Sequence, residues 1–198
     1  LDVSKWTTGK VTDMWDMFLQ CSSITYLDMS DWDVSGVSRM EDVFGDCSSL
    51  VTLDLSNWNT ENFTSTTGLF AGCSALRELN VSNWRTGNIT YFSGMFRDCK
   101  SLTAIDVSNW DISKATDMST MFSGCSSLNS ISFPDKGVLT KTAAGVKNFS
   151  SMLEGCSSLT AVDLSGVVSS SSTSEYDVFF MFYGCNELKQ VSLREQWP

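Results

Sequence analysis

Along the chain, apolar and polar residues alternate in short bursts, best formed where Leu53 and Leu55 face one way and Asp54 and Ser56 the other. Side chains of period two predict a short strand. The same alternation is centred on Leu27, Leu79, Ile105, Ile131, Val162 and Val191, with a partial first copy at Leu1. Between bursts the spacing changes. Ala115, Met118, Met121, Phe122 and Cys125 stand at helical offsets, which predict one face of a short helix. Thr116 or a neighbour supplies its N-cap, and Asp117 sits in the first turn where the helix dipole favours an acid. The residue ahead of each Cys is Gln20, Asp46, Gly72, Asp98, Gly124, Gly155 or Gly184, mostly the glycine that a left-handed stop requires. Thr64 to Gly68 are poor helix formers and predict a 3-10 turn or irregular chain there.

The two patterns recur together. Trp6, Trp32, Trp58, Trp84 and Trp110 hold a spacing of 26 residues, and Cys21, Cys47, Cys73, Cys99 and Cys125 hold the same spacing in phase. Ten positions sharing one period mean a supersecondary unit copied and stacked. The apolar set Leu50, Leu53 and Leu55 is the L-x-x-L-x-L signature of a leucine-rich repeat. The predicted fold is α/β: a right-handed leucine-rich-repeat-like solenoid. It has about eight short parallel strands on one face and short α or 3-10 helices on the other. One domain covers residues 1–198, with regular coils over 1–133 and looser coils over 134–198. In the looser part Pro134-Asp135-Lys136-Gly137 and the hydroxyl-rich stretch Ser169 to Ser174 lengthen the connections, and Trp197 stands one residue out of register. These last coils are read as a divergent cap. The opening Leu1-Asp2-Val3-Ser4 falls inside a repeat, which reads as a piece of a longer protein.

Composition changes the picture in two ways. Hydrophobic residues make up 42% of the 198, enough for a folded body, and 13 basic against 23 acidic residues give a net charge of -10. That charge repels phosphate backbones and anionic lipid, so nucleic acid is not an expected partner. No apolar run reaches the roughly 18 residues of a membrane span, and no direct membrane insertion is expected.

Three periodic rows invite chemical readings. The cysteines fit a buried thiol ladder better than disulfides, since equivalent residues in stacked coils carry parallel Cβ vectors, and zinc needs converging ligands that a chain without His does not offer. The Trp row fits a structural stack, with a sugar-stacking platform as the alternative. Asp2, Asp28, Asp54, Asp106 and Asp163 form an outward acidic row, held either by hydrogen bonds from nearby Ser or Thr or by a cation such as calcium; the first is favoured, because a flat sheet offers few of the 6–8 oxygens calcium wants. No cofactor or catalytic constellation is predicted, for there is no His, no nucleophile paired to a base and no phosphate-cradling loop.

The stretch from Ile105 to Leu128, with Asp-Val-Ser-Asn-Trp-Asp and then Met-Ser-Thr-Met-Phe-Ser-Gly-Cys-Ser-Ser-Leu, resembles the repeat of BspA-like leucine-rich-repeat surface proteins of bacteria. The resemblance covers nearly the whole chain. It implies an exported cell-surface, secreted or lipoprotein-anchored molecule associated with adhesion to host or neighbouring cells, and it brings no active site with it. One departure stands out: the ninth position from Leu50, where ordinary leucine-rich repeats carry an Asn ladder, is Trp58, so Asn57, Asn83 and Asn109 become candidates for those backbone bonds.

Partner contacts are expected at residues that break the repeat. Trp15, Tyr26, Arg39, Arg77, Arg85, Tyr91 and Arg97 are out-of-pattern aromatics and arginines, types enriched at binding hot spots. Arg77, Arg85, Arg97 and Lys100 read as a basic island on an acidic body. The function predicted is a non-enzymatic, monomeric adhesion module holding a protein or glycan. The alternative is a spacer that presents another domain.

Overall fold

A computed structural model of the chain describes residues 2–134, 145–167 and 175–193. The predicted insertions Asp135 to Gly137 and Ser169 to Ser174, the partial strand at Leu1 and the displaced Trp197 lie outside them. Six three-residue strands line one face: β1 Thr52–Asp54, β2 Glu78–Asn80, β3 Ala104–Asp106, β4 Ser130–Ser132, β5 Ala161–Asp163 and β6 Gln190–Ser192. They pair in parallel as β1–β2, β3–β4 and β5–β6. Equivalent repeat positions face each other, Leu53 on Leu79, Ile105 on Ile131 and Val162 on Val191. Six strands stand among the described residues where about eight were expected. Leu27 lies in none, although the Thr25 carbonyl accepts the Val51 amide at 3.3 Å.

The predicted helices are absent from the described residues. In their place each coil carries a six-residue turn, at 15–20, 41–46, 67–72, 93–98, 119–124, 150–155 and 179–184. The physical reason is a pair of left-handed residues in every turn. The one before Cys was legible, with φ from 56° at Asp46 to 76° at Gly184. The other lies four residues earlier, at Asp16, Asp42, Gly68, Gly94, Thr120, Ser151 and Phe180, with φ between 50° and 63°. A left-handed residue at that position ends a right-handed helix before its first turn closes.

The amides that a helix would bond internally go instead to the next coil. In the first turn Asp16, Phe18 and Gln20 donate to the carbonyls of Glu41, Val43 and Gly45, while Leu19 and Cys21 bond within the turn to Asp16 and Phe18. The arrangement repeats through all the coils, ending with Ser151, Leu153 and Gly155 on Phe179, Met181 and Tyr183. Isolated parallel bridges run beside it, Asp13 to Arg39 to Ser65 to Tyr91 to Asp117 to Asn148 to Asp177. Backbone bonds thus tie every neighbouring coil on the turn face and join the strands in pairs on the other, and a single apolar core runs along the axis between them. Among the described residues there is no helix long and apolar enough to cross a membrane.

Candidate functional site

Four internal rows hold the surface in place. Trp32, Trp58, Trp84 and Trp110 are 4% exposed or less, whereas Trp6 at the first coil is 46% exposed. Rings of Trp58 and Trp84 stack at 6.4 Å and those of Trp84 and Trp110 at 6.2 Å. Each indole N–H reaches back to the previous coil, from Trp32 to the Val3 carbonyl, Trp58 to Met29, Trp84 to Leu55 and Trp110 to Val81. The indole therefore supplies the bond expected of Asn57, Asn83 and Asn109, all of which are exposed. A second stack, Phe18, Phe44, Phe70, Phe96 and Phe122, keeps centroids 5.3 to 5.8 Å apart.

The seven cysteines are free thiols. Cys47, Cys73, Cys99 and Cys125 each donate S–H to a Phe carbonyl of the preceding coil at 3.0 to 3.2 Å. Burial pushes the Cys47 thiol up to about 11 and the Cys156 thiol to about 12, and drives Cys73, Cys99 and Cys125 higher still. Such thiols are inert at neutral pH. A fourth row was missed from sequence. Thr8, Thr60 and Thr86 are buried; Thr60 takes the Arg85 amide and donates to its carbonyl, and Thr86 donates to the Asp111 carbonyl. Its signal is Trp-x-Thr at Trp6, Trp58 and Trp84.

On the strand face the acidic row is held by serines. Asp2 and Asp28 each accept the side-chain hydroxyl and the amide of the serine two residues on. These bonds keep both carboxyls below the ordinary value, as the Ser108 hydroxyl and amide do for Asp106 and the Ser56 amide, chiefly, does for Asp54. Among the described residues no group of three or more His, Cys, Asp or Glu is placed to hold a metal ion.

The residues expected to make contacts divide between faces. Tyr26, 61% exposed, and Arg77 come together on the strand face. They line a groove of about 550 Å³ with Thr52, Asp54, Glu78 and Asn80. Arg77 and Glu78 form no ion pair among the described residues, so both charges are open to a ligand. Arg85 lies at the corner after β2 and pairs with Glu61 at 3.4 Å, beside a second groove of about 400 Å³. On the opposite face Arg39 sits 4.7 Å from the Trp15 ring centre and reaches Asp13 and Glu41 at 3.5 Å each. Tyr91, 51% exposed, stands in the same bridge row as Arg39. Arg97 and Lys100 belong to that turn side too, Lys100 lying 3.9 Å from Asp98. The predicted basic island is thereby dispersed: its members fall on three faces of the coil because strand, corner and turn point different ways. Sequence reasoning also missed a cluster in the last coil. Phe179, Phe180 and Tyr183 are 66%, 51% and 66% exposed, with ring centres 4.1 and 5.3 Å apart along the series.

Stacked coils, six of them carrying one short parallel strand centred on Leu, Ile or Val, give the chain the architecture of a leucine-rich repeat. The chain belongs to the family described as Mycoplasma protein of unknown function, DUF285, whose model matches residues 1–79, 50–135 and 77–197. No curated protein matches it. Similar solved structures include a leucine-rich repeat protein of Eubacterium ventriosum, at 19% identity and a TM-score of 0.46, covering 88% of this chain. A leucine rich cell surface protein of Faecalibacterium prausnitzii aligns at 15% identity and a TM-score of 0.34, over 94% of this chain and 71% of its own. A leucine-rich repeat protein of Bacteroides ovatus aligns at 17% identity and a TM-score of 0.29, over 92% of this chain and 64% of its own. This chain spans 38% of the length of the Eubacterium protein.

Proposed function

We propose that this chain is a non-enzymatic interaction module of a BspA-like bacterial surface protein, exported and displayed, which holds a protein or glycan on its strand face. One observation carries the reading: Tyr26, Arg77 and Glu78 meet in an open groove with both charges unpaired. An exposed ring offers apolar area at low entropic cost, and the arginine fork and carboxylate beside it fix orientation through directional bonds. Asp54 and Asn80, whose side-chain oxygens are already bonded to Ser56 and Ser82, form a set wall rather than a mobile one.

The test is a screen of the purified chain against arrayed glycans and extracellular-matrix proteins, repeated with Tyr26→Ala and Arg77→Ala together. Binding that falls at least tenfold in the double variant, with an unchanged circular dichroism spectrum, supports the groove. Binding unaffected by the double variant, or no binding to any member of either array, refutes it. The continuous backbone ladder along the turn face favours a second reading, a stiff spacer presenting another domain, and the negative result moves weight to it.

A further inference from the structure

We infer that the strand-face groove takes a sugar carrying a single carboxylate, seated where the sheet is open between β2 and β3. The inference rests on the binding role proposed for that groove and names the chemistry of its ligand. It begins with a break in the backbone. In the coils on either side the same amide crosses to the preceding coil, from Val51 to the Thr25 carbonyl at 3.3 Å, from Arg77 to Val51 at 2.9 Å and from Asn129 to Thr103 at 3.0 Å. The corresponding bond from the Thr103 amide to the Arg77 carbonyl is absent among the described residues, and β2 and β3 do not pair. The turn face opposite stays closed, with Gly68, Phe70 and Gly72 donating to Ser93, Met95 and Arg97. The opening is therefore local to the strand face. Leu79 is partly exposed in it, whereas Leu53 and Ile105 at the same position of the neighbouring coils are 3% and 5% exposed.

Two departures from the repeat change the charge at this place. At the 26-residue spacing the counterparts of Arg77 are Thr25, Val51, Thr103 and Asn129, so a guanidinium enters a row that is neutral in those coils. Asn80 stands where the same spacing puts Asp2, Asp28, Asp54 and Asp106, so a carboxylate is missing from the same coil. The Oδ1 atom of Asn80 accepts the Ser82 amide at 3.3 Å and the Ser82 hydroxyl at 2.9 Å, which fixes the side chain and leaves Nδ2 as a donor. Arg77, Asn80 and Thr103 all line the groove. Together they offer a planar fork for two oxygens of one anion, and neutral N–H groups to complete its shell.

The remaining groups decide which anion. Asp54 and Glu78 line the same groove, and as carboxylates they only accept. A carboxylated sugar meets both demands with one negative charge and several hydroxyls: the charge goes to Arg77, and the hydroxyls donate to Glu78 and to the Asp54 oxygen that Ser56 does not hold. The exposed Tyr26 ring supplies a face for the pyranose C–H groups. A sulfated polymer or a run of acidic residues brings many charges and few hydroxyl donors, and the net charge of -10 repels it.

The test uses the whole chain on printed oligosaccharides ending in glucuronic acid or sialic acid, beside the neutral oligosaccharides that lack the acidic sugar, with heparin and a polyglutamate peptide included and bound members titrated by calorimetry. Acidic glycans are expected to bind at least about tenfold more tightly than their neutral counterparts, since a charged hydrogen-bonded pair is lost in the latter. Arg77→Thr and Asn80→Asp each install a residue that neighbouring coils carry, so neither disturbs the repeat, and each is expected to weaken the acidic glycan by about tenfold or more. Equal binding of acidic and neutral glycans that disappears in the Tyr26→Ala, Arg77→Ala double variant overturns the carboxylate and leaves the groove standing. Binding of heparin or polyglutamate in preference to the sugars overturns it too, as does wild-type affinity for the acidic glycan in either single variant. If no glycan binds, the inference falls, and the groove is then judged on the matrix-protein screen alone.

Discussion

Removing the Trp84 side chain tests whether the tryptophan row stabilises the solenoid as a stack. Trp84 is 2% exposed, lies 6.4 Å from Trp58 and 6.2 Å from Trp110, and meets the edge of Phe63 at 5.9 Å. Trp84→Ala deletes all three ring contacts and opens a cavity inside a row that cannot collapse sideways, for a loss of about 3–5 kcal/mol. Trp84→Phe separates the two contributions. It keeps most of the apolar volume and loses the 3.2 Å bond from the indole to the Leu55 carbonyl. That carbonyl still accepts the Trp58 amide at 3.1 Å, so it is not left unpaired, and the net cost is about 1 kcal/mol. Trp6→Ala removes a ring that is 46% exposed and stacks on one neighbour alone, a loss below about 1 kcal/mol. Urea unfolding followed by far-ultraviolet circular dichroism ranks the three, free of the fluorescence change each substitution causes. Equal losses for Trp84→Ala and Trp6→Ala would refute the stack, and Trp84→Phe as damaging as Trp84→Ala would mean that the bond, and not the packing, dominates.

Further expectations follow from the other rows. In native protein a thiol reagent at pH 8 should leave Cys47, Cys73, Cys99, Cys125 and Cys156 unmodified, since burial raises each of them, and mass spectrometry that finds any of the five labelled as fast as in urea contradicts the buried ladder. Acid should weaken the fold in a definite window. Asp2, Asp28, Asp33, Asp54 and Asp106 are held below the ordinary 3.8 by their serine bonds, so their contribution is complete above that value and is lost as pH falls through the lower folded values. Thermal melts should therefore be nearly level from pH 7 to pH 5 and fall steeply below about 4; a melting temperature that rises on acidification contradicts the assignment. Gly68 has φ 63° and a Cβ there would overlap the Asp42 carboxylate, so Gly68→Ala should cost about 1–2 kcal/mol from conformation and more from the clash. Gly36→Ala, with no positive φ and its nearest neighbour the Val11 carbonyl at 3.1 Å, should cost less in the same urea assay; equal losses would show that the left-handed turn is dispensable.

The sequence disclosed what repeats and hid what depends on backbone sign. Strand centres at Leu53, Leu79, Ile105, Ile131, Val162 and Val191 were readable because a two-residue period reports side-chain direction directly. The offsets of Ala115, Met118, Met121 and Phe122 misled, since a turn with two left-handed residues places the same residues inward as a helix would. The clue was available in the fifth residue before each Cys, which is Asp, Asp, Gly, Gly, Thr, Ser and Phe and contains no strong helix former. Of the contact residues, Tyr26 and Arg77 converge because they sit one position apart on strand-face segments of coils separated by one repeat, whereas Arg85 and Arg97 diverge because corner and turn intervene. Phe179, Phe180 and Tyr183 escaped notice for a plain reason: Met and Phe stripes at turn positions read as core, and whether the next coil is present to cover them is not written in the residues themselves.

The turn ladder also explains why the surface is free to vary. A helical repeat satisfies its amides within each coil, so neighbours are held by side chains alone and the convex face must help with packing. Here alternate amides cross between coils, the Trp and Cys rows bond backward to the preceding backbone, and the Thr row bonds forward to the following one. Inward positions and backbone together fix each coil on its neighbour, which makes stability a sum of nearest-neighbour contacts. Outward positions outside the Asp–Ser row then carry little structural duty. Tyr26, Arg77 and Glu78 can change without loosening a coil, which is the condition under which a repeat array acquires a binding face.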